Sequence, residues 1–196
     1  MVRILIAAAI AAVIYQAWLF SSWMVLNLHG GTLEPLPDAA PVTEALQRQD
    51  LADGVYVRPF TEDFGEIGDP ESEFTQQHLA GPIFTIYFQR EGGPPMPPRM
   101  FAIALGMNFF AAAVVGALLS CTGGCCRGYL ARVGFVLGIA VFASVVTHGA
   151  YWNWMGFPTH YTAIFIVDLL VGWTLAGLVI AALVRPPAET SPEAAA

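Results

Sequence analysis

"AIFIVDLLVGWTLAGLVIAALV", residues 163 to 184, carries one ionisable residue, Asp168, in an otherwise uncharged run. A helix needs roughly 20 residues at about 1.5 Å each to cross hydrocarbon, so this run is long enough to be a span. Three more runs qualify: Ile4 to Leu26, Phe101 to Leu119 and Val133 to Ala150. Of 196 residues, 56% are hydrophobic and 12% charged, a membrane composition. The fold class expected is membrane all-α, a bundle of four transmembrane helices. A small α+β extracytoplasmic domain is inserted between the first two. Residues 1–26 form the first helix, 27–98 the acidic domain with a Pro-rich strap, 99–184 the other three helices, and 185–196 a disordered cytoplasmic tail.

A cleaved signal peptide is the rival reading of the first run, since Arg3 precedes a stretch rich in Ile and Ala. The run continues through Trp18, Phe20 and Trp23 with no small-residue cleavage site after it, which favours an uncleaved anchor.

Upstream of residue 163 lies "YWNWMGFPTHYT", 151 to 162, five aromatic rings in an uncharged connector. Tryptophan and tyrosine favour the headgroup level, so Tyr151, Trp152, Trp154 and Tyr161 are expected as an interfacial belt, with Gly156 and Pro158 turning the chain. The chain has no lysine, and Arg3, Arg127, Arg132 and Arg185 flank the opposite helix ends. Positive residues mark the cytoplasmic side, so both termini are expected in the cytoplasm. Segment 27–98 then lies outside. Its twelve acidic residues against Arg48, Arg58 and Arg90 leave nine net negative charges. No basic patch exists to meet phosphates, which argues against nucleic acid as a partner.

Depth can be counted from the aromatic belt. Asp168 falls about seven residues past Tyr161, roughly 10 Å inside. Asn108 on the second helix, Ser144, Thr147 and His148 on the third, and Gln16, Ser21 and Ser22 on the first fall in the same half. An ionisable residue within a span is a functional-site hypothesis by default. The sharp reading is a polar pocket around Asp168, with His148 or Arg99 as charge partner and Asn108 and Gln16 as hydrogen-bond donors. The bland reading has Asp168 fixing helix packing through a polar contact, and it is favoured. Gly134 and Gly138 make a GxxxG, and Ala102 with Gly106 has the same spacing, so close helix approach is expected at both.

In the outer segment, "PDAAPVTEALQRQ" reads as a short helix with Asp38 as cap and Pro41 in the first turn. "GVYVRPF" (54–60) and "PIFTIYFQR" (82–90) read as an antiparallel pair of strands. "TEDFGEIGDPESE" between them reads as a solvated loop, and "GGPPMPP" (92–98) as an extended strap. His29 and His78 have no neighbouring ligands and read as ordinary polar residues. Cys121, Cys125 and Cys126 lack paired C-x-x-C spacing and a nearby His, so ordinary thiols are expected rather than a metal site, with lipid attachment open. No phosphate loop, His-Glu-x-x-His or serine elbow occurs, so no catalytic residue and no cofactor is assigned.

With "SWMVL" at 22, "TL" at 32, "GVYVRP" at 54, "YWNWMGFP" at 151 and "DLLVGWTLAGLVIA" at 168, the chain resembles a group of uncharacterised bacterial four-span inner-membrane proteins. The resemblance implies topology and place only: helix, outer domain, then three helices, in a bacterial inner membrane. The function expected is that of an accessory or scaffold protein whose outer domain docks a partner, with the bilayer and a protein partner or second copy as its contacts. The alternative is a small-solute, ion or proton-handling protein using the Asp168 pocket. A membrane enzyme comes third, since no nucleophile and base are paired.

Overall fold

A computed structural model describes residues 1–187 of the chain, so the tail expected at 185–196 lies largely outside the described residues. In chain order the elements are α1 (Val2–Phe20), α2 (Ala40–Arg48), β1 (Gly54–Arg58), α3 (Glu73–Ala80), β2 (Phe84–Phe88), α4 (Pro98–Ser120), α5 (Tyr129–Ser144), α6 (Ala150–Trp154) and α7 (Thr159–Leu183). A π-helical turn, Ser21–Val25, extends α1, and a second, Val145–Gly149, joins α5 to α6. Among the described residues, four helical spans are therefore long and apolar enough to cross a membrane: Val2–Val25, Pro98–Ser120, Tyr129–Trp154 and Thr159–Leu183. The chain is a membrane protein on this evidence.

The third span runs past the expected end at Ala150 and takes Tyr151, Trp152 and Trp154 into the helix. Nothing in "AYWNW" breaks a helix, whereas Gly156 at φ 67° and Pro158 do, so the connector shrinks to residues 155–158. The first span ends where Asn27 adopts the left-handed conformation at φ 49°.

Two compact units divide the chain: Met1–Glu34 with Met96–Ala196, and Pro35–Pro95. In the first, α1 packs against α4 and α7, and α5 against α7. Small residues allow this. Ala7, Ala8, Ala11 and Ala12 of α1, Ala112 and Gly116 of α4, and Ala176, Gly177 and Ala181 of α7 are all buried, together with Val115, Leu119, Val136 and Ile180. Gly134 and Gly138 take no part, which corrects the expectation of close approach there. A methyl group added at either would meet nothing within 4 Å, and the same holds at Gly106. The buried ridge of α5 is Arg132, Val136, Ala140 and Ser144. Two residues turn a helix by about 200°, so Gly134 and Gly138 face the opposite way. Phe110, Leu130 and Phe142 are likewise exposed on the outward faces of the spans.

The Pro35–Pro95 unit holds the antiparallel ribbon, in the register Gly54↔Phe88, Val55↔Tyr87, Tyr56↔Ile86, Val57↔Thr85 and Arg58↔Phe84. Tyr56 and Phe88 meet diagonally with ring centroids 6.4 Å apart. Arg90 closes one end, its N–H donating to Asp53 at 2.8 Å and its guanidinium pairing with Asp50. In α2, Ala39 rather than Asp38 is the cap residue, and Asp38 accepts from the Ala40 N–H at 3.2 Å. The acidic stretch is not a plain loop. Asp63 caps a 3-10 turn, Phe64–Gly68, and Ser72 caps α3 by accepting from the Thr75 N–H at 3.1 Å. The Ser72 and Thr75 hydroxyls then donate to the Glu66 carbonyl at 2.7 and 3.0 Å, tying helix to turn. Ser72 followed by acidic Glu73 is an N-terminal signature that the surrounding charge conceals.

Candidate functional site: a buried aspartate held by serine and histidine

Asp168 lies on α7 and is 3% exposed. Its Oδ1 accepts from the Ser22 hydroxyl at 2.6 Å, and its Oδ2 meets Nε2 of His29 at 2.7 Å. Its backbone carbonyl accepts from the Trp18 indole N–H at 3.1 Å. Ser22 stands on the π-helical turn that ends the first span, and His29 on the reversal just beyond it. The reversal is stitched by Leu28 N–H to the Ser22 carbonyl at 3.0 Å and by the Thr32 N–H and hydroxyl to the His29 carbonyl at 2.9 and 2.8 Å. Left-handed Asn27 turns the chain back, which brings His29 over the helix it has just left.

The imidazole is enclosed by rings. Trp23 stacks on it, centroids 3.8 Å apart and planes 4° apart, and Phe165 meets it edge-on at 4.9 Å. From Phe165 an aromatic ladder continues through Tyr161 at 4.5 Å, Phe157 at 5.5 Å and Tyr151 at 5.4 Å. Tyr151 and Tyr161 thus share a contact chain with the site. Trp152 instead donates to Thr159 at 3.1 Å, and Trp154 is exposed.

The residues expected around Asp168 fall in three places. His148, on the π-helical turn of the third span, lies against the Phe165 ring at 5.7 Å and has no hydrogen bond to Asp168 among the described residues. Asn108 and Gln16 bond each other, Nδ2 to Oε1 at 3.0 Å. Arg99 is exposed in the first turn of α4, with no ion pair among the described residues. The charge partner is His29. Counting residues gives depth along each helix but not the direction a side chain faces, and it says nothing of a connector that doubles back.

Serine, histidine and aspartate do not here make a nucleophile. The serine hydroxyl donates to the carboxylate rather than to the imidazole, so the serine-to-histidine proton transfer of a catalytic triad has no path here. No group of three or more His, Cys, Asp or Glu that could hold a metal occurs among the described residues. Two π-helical turns, one bearing Ser22 and one bearing His148, flank the same stretch of α7; such turns gather at functional sites. His29 Nδ1 and Thr162 Oγ1 are buried and have no partner among the described residues.

At the far end of the bundle, Arg132 is buried and donates through Nε to the Ala181 carbonyl at 2.7 Å and through Nη1 to the Arg127 carbonyl. Cys125 and Cys126 bring their sulfurs to 3.6 Å on a 3-10 turn, Gly123–Cys126. The hydrogen bond with Cys126 holds the Cys125 thiol above the ordinary cysteine range. No protein-family model, no curated protein and no solved structure matches the chain.

Proposed function

We propose that the protein is an integral-membrane accessory or scaffold protein whose Pro35–Pro95 unit docks a partner protein or a second copy, anchored in a bacterial inner membrane. Both termini lie in the cytoplasm and the 35–95 unit outside; the arginine distribution supports this sidedness. The observation that carries the reading is how the spans use their polar groups. Asp168 is bonded by Ser22 and His29, Gln16 by Asn108, and Arg132 by backbone carbonyls. Such contacts fix helices to one another. The 35–95 unit, by contrast, exposes apolar side chains, with Phe64 84% and Leu79 75% exposed, which a partner would cover.

Isolation of the whole chain in mild detergent tests this against a variant lacking residues 35–90. Proteins that accompany the whole chain and are lost from the deletion support docking. The same companions on both, or none on either, overturn it.

A second reading, proton or ion handling at Asp168, is favoured by the partnerless Nδ1 of His29. Asp168→Asn separates the two: impaired assembly or folding supports the packing role of Asp168, whereas unchanged assembly with lost proton or ion movement supports the second reading.

A further inference from the structure

The ring of His29 is fixed on every side but one. Nε2 is committed to Asp168, a face to Trp23 and an edge to Phe165, while Nδ1 is buried without a partner. With one proton on the pair, placed on Nε2 and pointing at the carboxylate, Nδ1 bears only a lone pair and the site carries one net negative charge. A second proton placed on the 2.7 Å contact removes that charge. Whether the result is imidazolium beside carboxylate or imidazole beside carboxylic acid, an N–H now stands at Nδ1. No acceptor meets it there, and a buried donor without an acceptor is costly.

We propose that His29 and Asp168 form a proton-binding site, and that taking up this proton drives His29 out of its seat and loosens the reversal at 27–32. The cost of the orphaned N–H is relieved only if Nδ1 moves to water or to another acceptor. The reversal is the part able to move, since it is held by a few backbone bonds and by this ring, whereas Asp168 sits within a continuous helix. The other titratable groups nearby are Tyr15, which packs over Gly172 one turn from Asp168, His148 and Tyr161 against Phe165, and His160 beside Gly31. Among the described residues His29 is the only ion-pair partner of Asp168. This deepens the proton-handling reading of the site but requires binding alone, not movement of protons across the membrane.

Trp23 supplies the probe, because its indole is stacked on the seated His29 ring and its surroundings change when that ring leaves. Full-length protein in lipid nanodiscs is titrated with acid while helicity is followed by circular dichroism. The expected result is a step in fluorescence as the pH is lowered, lost in Trp23→Phe and in His29→Gln but kept in His148→Gln. Amide exchange in the unaltered protein should quicken at residues 28–32 below the same midpoint and stay constant along α7. A flat fluorescence profile in folded protein, or a step that survives His29→Gln, overturns the proton site. A step with unchanged exchange overturns the release of the reversal. Proton flux into vesicles is measured separately: a titrating pair without flux removes transport and leaves the binding site standing.

Discussion

Ser22 and Gly172 act on Asp168 in different ways, one by bonding and one by leaving room. Ser22→Ala strips Oδ1 of its hydrogen bond inside an apolar bundle, and a buried acceptor so abandoned costs about 1–3 kcal/mol. Ser21→Ala is the control, since that hydroxyl bonds only the Ala17 carbonyl of its own helix and its loss should cost under about 0.5 kcal/mol. Reversible unfolding in mixed micelles reads both. At Gly172 an added methyl carbon would stand 2.4 Å from Cε2 of Tyr15 and 2.8 Å from Cδ1 of Trp18. Both rings must shift, and Trp18 would lose its bond to the Asp168 carbonyl, so Gly172→Ala should destabilise by about 1–3 kcal/mol. Gly134→Ala should be neutral or stabilising in the same assay, because nothing lies within 4 Å and alanine is the better helix former. Asp168 was legible in the sequence because a charge in an apolar run stands out. Its partner was not, since His29 lies 139 positions away in a segment that reads as outside the helices.

Helices long enough to cross a membrane announce themselves through length and composition, and all four were legible within a few residues. The π-helical turns were not. They preserve helical periodicity on both sides and leave no mark in residue type, yet one of them carries Ser22 and the other His148. Arg132 shows a second limit. Its position beside a helix end reads as a marker of sidedness, whereas its side chain is buried and caps carbonyls at the C-terminal ends of other segments. Arg132→Met keeps the apolar stem and removes the donors, so α7 should lose stability by about 1–3 kcal/mol. Lysine should restore only part of it, since one ammonium cannot reproduce the forked reach to two carbonyls. Unfolding midpoints of the three proteins check the order. In the neighbouring turn the bond to Cys126 raises the Cys125 thiol, and the thiolate is the form that reacts. Alkylation of Cys125 should therefore become fast only at higher pH than in Cys126→Ala, as mass spectrometry of iodoacetamide-treated protein would show.

For the molecule as a whole the deciding question is which solvent it meets, and its exposed surface answers. Within each candidate span only 22 to 28% of the most apolar window is buried against the rest of the chain, so the remaining faces must be covered by something as apolar as themselves. Hydrocarbon does this along the full length of four helices, and it also explains why Asp168, Ser22, Gln16, Asn108 and Arg132 turn inward rather than out. Four crossings place the turn at 155–158 on the same side as the connector after the first span. The Cys121 to Cys126 turn and residue 187 then fall on the other side. In a background lacking the native cysteines, a cysteine at position 60 or 155 in intact cells should react with a membrane-impermeant maleimide. One at 121 or 187 should react only after the membrane is opened. Position 60 labelling like position 187 would mean an even number of crossings between them in place of the three described spans, and loss of α4 or α5 as a crossing would separate His29 from the end of α7 that holds Asp168. The arrangement of spans and the histidine–aspartate contact therefore stand or fall on the same labelling pattern.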